Sequence, residues 1–324
     1  MRSRTRAAQI WGLSFTAVLL LAAALAPWLA PYDPAEQLDP AVATYRPPGT
    51  SLPAIRLQDG DWRLADRVER VSAGLRIERL GRTEILPAAE VLNLTPTGVA
   101  DRRLFLLGSD KFGRDIFSRM LWGARVSLTV GLATAALALL FGVAVGALAA
   151  LGGRWVDTLL MRGVDALLSF PQVLLMVLLV SLFRPGTVAL VLLLAAIGWM
   201  TISRLTRAEI LGLKQREFIL AAHAIGQRPF TIFWRHLLPN ALTPVVIQTT
   251  LLIGQIILAE SSLSFLGMGI QPPTPTWGNM LAEGRDALSQ AWWLVTFPGA
   301  AISFSVVVFN LLGDGLRDAL DPRR

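Results

Sequence analysis

The side chains that most often do chemistry are scarce here and poorly arranged for it. Histidine occurs twice, at His223 and His236, and cysteine is absent, which removes disulfides and thiolate chemistry from the chain. Two histidines could bind a metal or pass a proton. Neither stands in an H-E-x-x-H pattern, and no G-x-S-x-G or G-x-x-x-x-G-K-[ST] stretch offers a nucleophile or a phosphate cradle. Both histidines therefore read as loop or contact-surface residues, and no metal, cofactor or catalytic site is expected. Ionisable residues within or beside apolar runs are more telling: Asp165, Arg204 and Glu260. A carboxylate in hydrocarbon is costly and ordinarily faces a cavity or a partner. Glu260 is thus a candidate for a translocation pathway or an interface between membrane subunits; the bland alternative is a rim position solvated by water.

The elements that must position these residues are membrane helices. The 324 residues are 53% hydrophobic and 16% charged, and several apolar runs reach the roughly 20 residues that cross a bilayer. Six spans are expected, at 10–30, 123–150, 162–183, 187–206, 240–263 and 292–312. Arg2, Arg4 and Arg6, then Arg154 and Arg162, then Arg207, Lys214, Arg216, Arg228 and Arg235, and finally Arg317, Arg323 and Arg324 fall on one side, which the positive-inside rule makes cytoplasmic. Both termini are then cytoplasmic. The turn Arg184 to Gly186, the loop at about 264–291 and the long segment at about 31–122 lie opposite. The net charge of +7 comes from arginines scattered in loops beside apolar segments, without a basic-aromatic motif, so nucleic acid is excluded as a partner.

The first 30 residues also have the basic start, apolar middle and small residues of a signal peptide, with cleavage near Ala26 as the alternative to a retained helix. Beyond them, 31–53 is proline-rich, whereas 54–87 alternates apolar and polar residues between turn signals at Asp59-Gly60, Ser72 to Gly74 and Gly81-Arg82. "LRIERL" at 75–80 is the clearest period-two piece. A small β meander outside the membrane is expected, with a core thin enough to need outside support; a solvated loop is the alternative.

Two helical features remain. Ala138, Gly142, Gly146 and Ala150 recur every four residues, either as a ridge for close helix packing or as a by-product of an alanine-rich span. "EFILAAHAIGQRPFTIFWRHLLPNALTPVV" at 217–246 reads as helix, tight turn and helix. Phe218, Ala221, Ala222 and Ile225 share a stripe, Gly226 ends the first helix, and Pro229 starts a second that runs to a break at Pro239. A helix face so short of bulk fits a partner's groove, with Phe218 and Ile225 as anchors, or it lies on lipid.

At this point the residues meet a family. "LAAHAIG" at 220–226 followed by "LLP" at 237–239 resembles the E-A-A-x-x-x-G and L-P elements of ABC importer permeases. "LGSDKFGRDIFSRMLWGARVSL" at 107–128, "AESSLSFLGMGIQPPTPTWGNML" at 259–281 and "FNLLGDGLRDALDP" at 309–322 resemble the second, C-type permease of dipeptide and oligopeptide transporters. The resemblance implies an all-α polytopic membrane protein with the six-helix type I ABC importer permease fold and a small β-rich periplasmic insertion between helices 1 and 2. Residues 1–30 would be the cytoplasmic tail and first helix, 31–106 the periplasmic segment, and 107–322 the permease core with a coupling loop at about 207–239. It further implies a bacterial inner-membrane subunit that forms half of the pathway in a heterodimer with a homologous permease. Two cytoplasmic ATPases and an extracytoplasmic binding protein complete the machine. ATP and magnesium would bind in the ATPases, leaving this chain without a cofactor or an ATP site. Glu217, Phe218, Ala221, Ala222, Ile225, Gly226 and Pro239 would receive the ATPase motion.

Two positions depart from the family pattern: Leu220 stands where the element has its acid, and His236 precedes the leucine-proline pair. The polar contact made by that acid is therefore not carried over, nor is a role for the insertion. Substrates of similar permeases include dipeptides, longer peptides, nickel chelates, haem and some sugars. The rival class is a self-sufficient secondary transporter or channel, which would show paired intramembrane charges, broken helices or acidic rings.

Overall fold

The computed structural model describes residues 2–95, 98–99, 101–183 and 186–320. Arg184 and Pro185 of the expected turn, and Arg323 and Arg324, lie outside them. In chain order the helices are α1 (Arg2–Ala24), the one-turn α2 (Ala26–Leu29) and α3 (Pro40–Ala43), then α4 (Ile116–Leu151), α5 (Gly153–Leu168), α6 (Gln172–Phe183) and α7 (Thr187–Lys214). They continue with α8 (Glu217–Ala224), the short α9 (Pro229–Ile232), α10 (Leu238–Phe265), α11 (Trp277–Gly284) and α12 (Trp293–Leu320). The chain divides into two compact units, one of Met1–Leu21, Ser127–Gln271 and Ile302–Arg324, the other of Ala22–Val126 and Pro272–Ala301.

The first unit is helical. Among the described residues, four helical stretches are long and apolar enough to cross a bilayer: Ile116–Leu151, Thr187–Lys214, Pro229–Phe265 and Trp293–Leu320. α5 and α6 add a fifth if counted as one span, but they meet at a bend of 84°. This corrects the expectation of one uninterrupted helix over 162–183. Pro171 accounts for the break, because it has no N–H to continue the ladder and disfavours helical backbone at Phe170. Gly12–Ala24 within α1 is a shorter apolar piece.

The small-residue ridge of α4 lies against α7. A Cβ on Gly142 would sit 2.6 Å from the Ile202 side chain, and one on Gly146 would sit 2.5 Å from the Ser203 carbonyl and 2.7 Å from the Thr206 side chain. Those distances leave no room for a methyl group, so the two glycines set how closely the helices approach. Arg207 of α7 and Asp157 of α5 make a two-pronged ion pair, its second arm 2.6 Å long.

The second unit carries strands. Antiparallel β1 (Thr50–Arg56), β2 (Trp62–Leu64) and β8 (Asp101–Phe105) form one sheet in the order β2-β1-β8, with Ala54 opposite Leu64 and Leu52 opposite Arg103. β3 (Arg67–Val71), β4 (Gly74–Arg79) and β5 (Arg82–Pro87) form a second, and the two-residue strands β6 (Leu94–Thr95) and β7 (Gly98–Val99) pair with each other. Leu80 and Gly81 both have positive φ, the geometry of the tight hairpin that joins β4 to β5. Leu75 and Ile77 point inward and Arg76 outward, as the alternation at 75–80 requires.

Two apolar clusters fill this unit. One gathers Ile55, Leu57, Ala65, Leu75, Ile77, Leu86 and Val91; the other gathers Leu38, Val42, Ala43, Leu52, Ala54, Leu64 and Phe105. The proline-rich segment before residue 54 is therefore part of the core, and the strands extend past 87 to Phe105. The difference from the sequence reading has a plain cause: β8 pairs with β1 across about fifty intervening residues, and such a pairing leaves no local period to read.

Candidate functional site

The segment between α7 and α10 folds as a hairpin of short helices. α8 ends in a Schellman motif: Gln227 N–H reaches the Ala222 carbonyl at 3.1 Å, Gly226 N–H reaches the His223 carbonyl at 3.0 Å, and Gly226 has φ +75°. Pro229 then occupies the first turn of α9, where its missing N–H is of no consequence. The expected break at Pro239 does not occur. Residues 233–237 form a π-helical turn in which Leu238 N–H bonds to the Phe233 carbonyl five residues back, and Pro239 falls in the first turn of α10. The widened turn carries the helix past a residue that has no N–H to donate.

One side of the hairpin is cemented to its own chain. Ile219, Ala222, Ile232 and Leu237 are buried with Ala147 and Ala150 of α4, Ile210 of α7 and Ala241 of α10. Lys214 adds a hydrogen bond from its ammonium to the Ala150 carbonyl at 2.5 Å. Ala222 is only 6% exposed, which corrects its expected place in a partner's groove. α8 is apolar almost all round, so a stripe drawn through 218, 221, 222 and 225 straddles two faces. Ile219 supplies the bulk that turns its own face inward, and Ala222, three residues on, follows it.

The opposite side is open. Phe218, Leu220, Ala221 and Ile225 are exposed, Ile225 at 74%, and Phe230 at 73% and Trp234 at 54% continue the apolar surface past the turn. Phe230 and Trp234 are in ring contact at 6.1 Å, and Phe233 meets Trp234 edge-on at 5.2 Å. Glu217, Arg216, Arg228 and Arg235 are exposed around them. His223 lines a groove with Lys214, Leu220 and Phe230. The hairpin thus presents an open apolar face while its other face is fixed to α4, α7 and α10.

Glu260 is elsewhere and is not on a surface. It is fully buried, its Oε1 accepts from the Ser264 hydroxyl at 2.8 Å, and its Oε2 lies 3.5 Å from the Ser127 hydroxyl of α4. That overturns the expected pathway or interface position: the carboxylate is satisfied by hydroxyls inside its own helical unit, which removes the need for an outside partner. Asp165 and Arg204 stand 3.6 Å apart and exposed.

The second unit holds a charge cluster that sequence reading missed. Arg114 bonds Asp110 at 2.6 Å and Glu283 of α11 at 2.6 Å, and Arg119 reaches the same Glu283 oxygen at 3.0 Å and Asp110 at 3.6 Å. Both arginines are at most 4% exposed. Asp115 caps α4 through Ser118, whose N–H donates at 2.7 Å and hydroxyl at 2.8 Å; burial raises its carboxyl above 3.8, with the Ser118 bonds opposing the rise. The D-x-x-x-R spacing of 110 and 114 was a visible signal, but Glu283 lies 169 residues from Arg114 and shares no local pattern with it.

Long apolar helices joined by a hairpin that is packed inward on one face and bare on the other define a helical membrane protein. Comparison with known proteins sharpens that class. Residues 142–324 match the family model described as binding-protein-dependent transport system inner membrane component, and residues 4–48 match the N-terminal TM domain of oligopeptide transport permease C. The chain belongs to the first of these families, and is a multi-pass inner-membrane permease subunit rather than a catalytic one. It is 36% identical over 312 residues to the di/tripeptide transport system permease protein DppC of Pseudomonas aeruginosa, covering 96% of this chain and 87% of that one. It is 44% identical over 216 residues to the dipeptide transport system permease protein DppC of Alkalihalophilus pseudofirmus, covering 67% and 71%. A chain from inward facing conformations of the MetNI methionine ABC transporter shares the fold at a TM-score of 0.53 with 17% identity, over 62% of this chain and 95% of that one.

Proposed function

We propose that this chain is one of two permease subunits of an ATP-driven, binding-protein-dependent importer of dipeptides or oligopeptides. Its exposed hairpin face, Phe218, Ala221, Ile225, Phe230 and Trp234, docks on a cytoplasmic ATPase, and its buried face carries the movement into the spanning helices. The observation that carries the reading is this two-sided hairpin. Large apolar side chains stay bare on α8, which is too short to span, and on the first turns of the Pro229–Phe265 stretch, directly across from side chains locked to three membrane helices.

In this reading six helices span, α1 included and α5 with α6 counted once, and both termini are cytoplasmic. The β-bearing segment lies outside, toward the extracytoplasmic binding protein. A homologous permease completes the pathway, and two ATPases supply hydrolysis with their own ATP and magnesium, so this chain needs no cofactor. The matched relatives named for di- and tripeptides favour a peptide substrate.

The test is reconstitution of the permease pair, ATPases and binding protein in proteoliposomes, with uptake of a labelled dipeptide as readout. Uptake should require both ATP and the binding protein. Uptake that persists without ATPases under an ion gradient would make the chain a secondary transporter. Import of a nickel chelate or haem but no peptide would change the substrate.

A further inference from the structure

Within the helical unit, a cavity of about 330 Å³ lies among α6, α7 and α10. From α10 it takes Gln248, Gln255 and Ser262, which recur every seven residues on one stripe, and Gln172 and Thr201 face it from α6 and α7. No lining residue carries a charge. Gln172, Thr201, Gln255 and Ser262 are exposed and Gln248 half-buried. Among the described residues the three glutamine amides make no hydrogen bond, whereas Ser262 donates its hydroxyl to the Leu258 carbonyl at 2.8 Å and keeps its lone pairs free.

An amide facing hydrocarbon leaves two donors and an acceptor unsatisfied, so the stripe must meet water or a polar ligand. Gln248 and Gln255 are about 10 Å apart along the helix axis, the reach of about three residues of extended chain. A primary amide offers the same donor and acceptor pair as a peptide bond, and it distinguishes neither acidic nor basic side chains.

We propose that these glutamines form a charge-free amide track that guides peptides through the membrane by hydrogen bonds to the peptide backbone, leaving side-chain charge unread at this stage. The inference rests on the peptide-importer reading and assigns its recognition chemistry.

The absence of native cysteine allows a direct test. Gln255→Cys and Ser262→Cys, each a lone thiol, should react in the assembled complex with a membrane-impermeant maleimide about tenfold faster than Leu192→Cys, with a tripeptide and binding protein slowing the reaction. Leu192 is exposed, and lies nine residues from Thr201, on the opposite face of α7. In uptake assays, Gln248→Leu with Gln255→Leu should lower the maximal rate about tenfold for neutral, lysine-containing and glutamate-containing tripeptides alike, with assembly and binding-protein affinity unchanged. Gln255→Glu should instead raise the ratio of lysine-peptide to glutamate-peptide uptake about fivefold.

A wild-type complex that imports no peptide overturns the functional reading and this inference with it. Wild-type uptake that the double leucine variant retains, or a charge ratio unmoved by Gln255→Glu, overturns the inference alone. Thiols as unreactive as that of Leu192→Cys, with a leucine variant that no longer assembles, would instead make the stripe a packing interface with the second permease.

Discussion

Exchanging two neighbouring alanines for arginine separates the inner face of the hairpin from its outer face. At Ala222, 6% exposed among Ile219, Ile232 and the small residues of α4, an arginine has no path to water. Overpacking costs about 1–3 kcal/mol, and an unpaired charge held in such a site adds about 3–5 kcal/mol. Against this, burial of Ile219 and Ile232 holds the hairpin with about 1.5–3 kcal/mol each. The penalty matches or exceeds the hold, so Ala222→Arg should release the hairpin from α4 and α10. Limited trypsin digestion of the purified subunit should then cut at Arg216 or Arg235 at least about tenfold faster than in the wild type, since about 1.4 kcal/mol of lost local stability already suffices for that; the bond after Arg228 is closed to trypsin by Pro229. Ala221 is exposed, and Ala221→Arg should leave tryptic cutting at Arg216 and Arg235 unchanged, apart from the new site it introduces, while removing ATPase co-purification or substrate-stimulated hydrolysis. A hairpin equally resistant in Ala222→Arg would refute the internal packing. Intact coupling in Ala221→Arg would refute the docking face and favour a helix lying on lipid, where arginine is tolerated.

Two further outcomes follow from the same geometry. Gly146→Ala places a methyl group 2.5 Å from the Ser203 carbonyl, a backbone atom that cannot swing aside, and should lower stability by about 1–3 kcal/mol, read as a fall in the melting temperature of the detergent-solubilised subunit. Glu283→Ala leaves Arg114 and Arg119 sharing only Asp110 and should destabilise that region by about 3–5 kcal/mol, read as lost hydrogen-exchange protection over residues 110–119; protection equal to the wild type would count against the cluster.

Signals confined to a few residues were legible without coordinates. Apolar runs long enough for hydrocarbon, glycine at 226 to end α8, proline at 229 to begin α9 and alternation over 75–80 each reflect backbone or solvent preferences that operate within one turn or one strand. Their consequences in three dimensions were not. Pro239 marked a break by itself, yet a π turn before it kept the helix continuous.

What tertiary structure decided is which surfaces meet. α8 is apolar on nearly every side, so its own residues could not select between Ala221 and Ala222; the small side chains of α4 and α10 did so by accepting Ile219. Glu260 read as a residue in search of a partner, and Ser127 and Ser264 provided one inside the same unit. Arg114 and Glu283, like β1 and β8, are joined only after the chain has returned from far along the sequence. Propensity and hydropathy act locally and are written in the order of residues, whereas packing and charge pairing depend on positions that the order of residues does not place side by side.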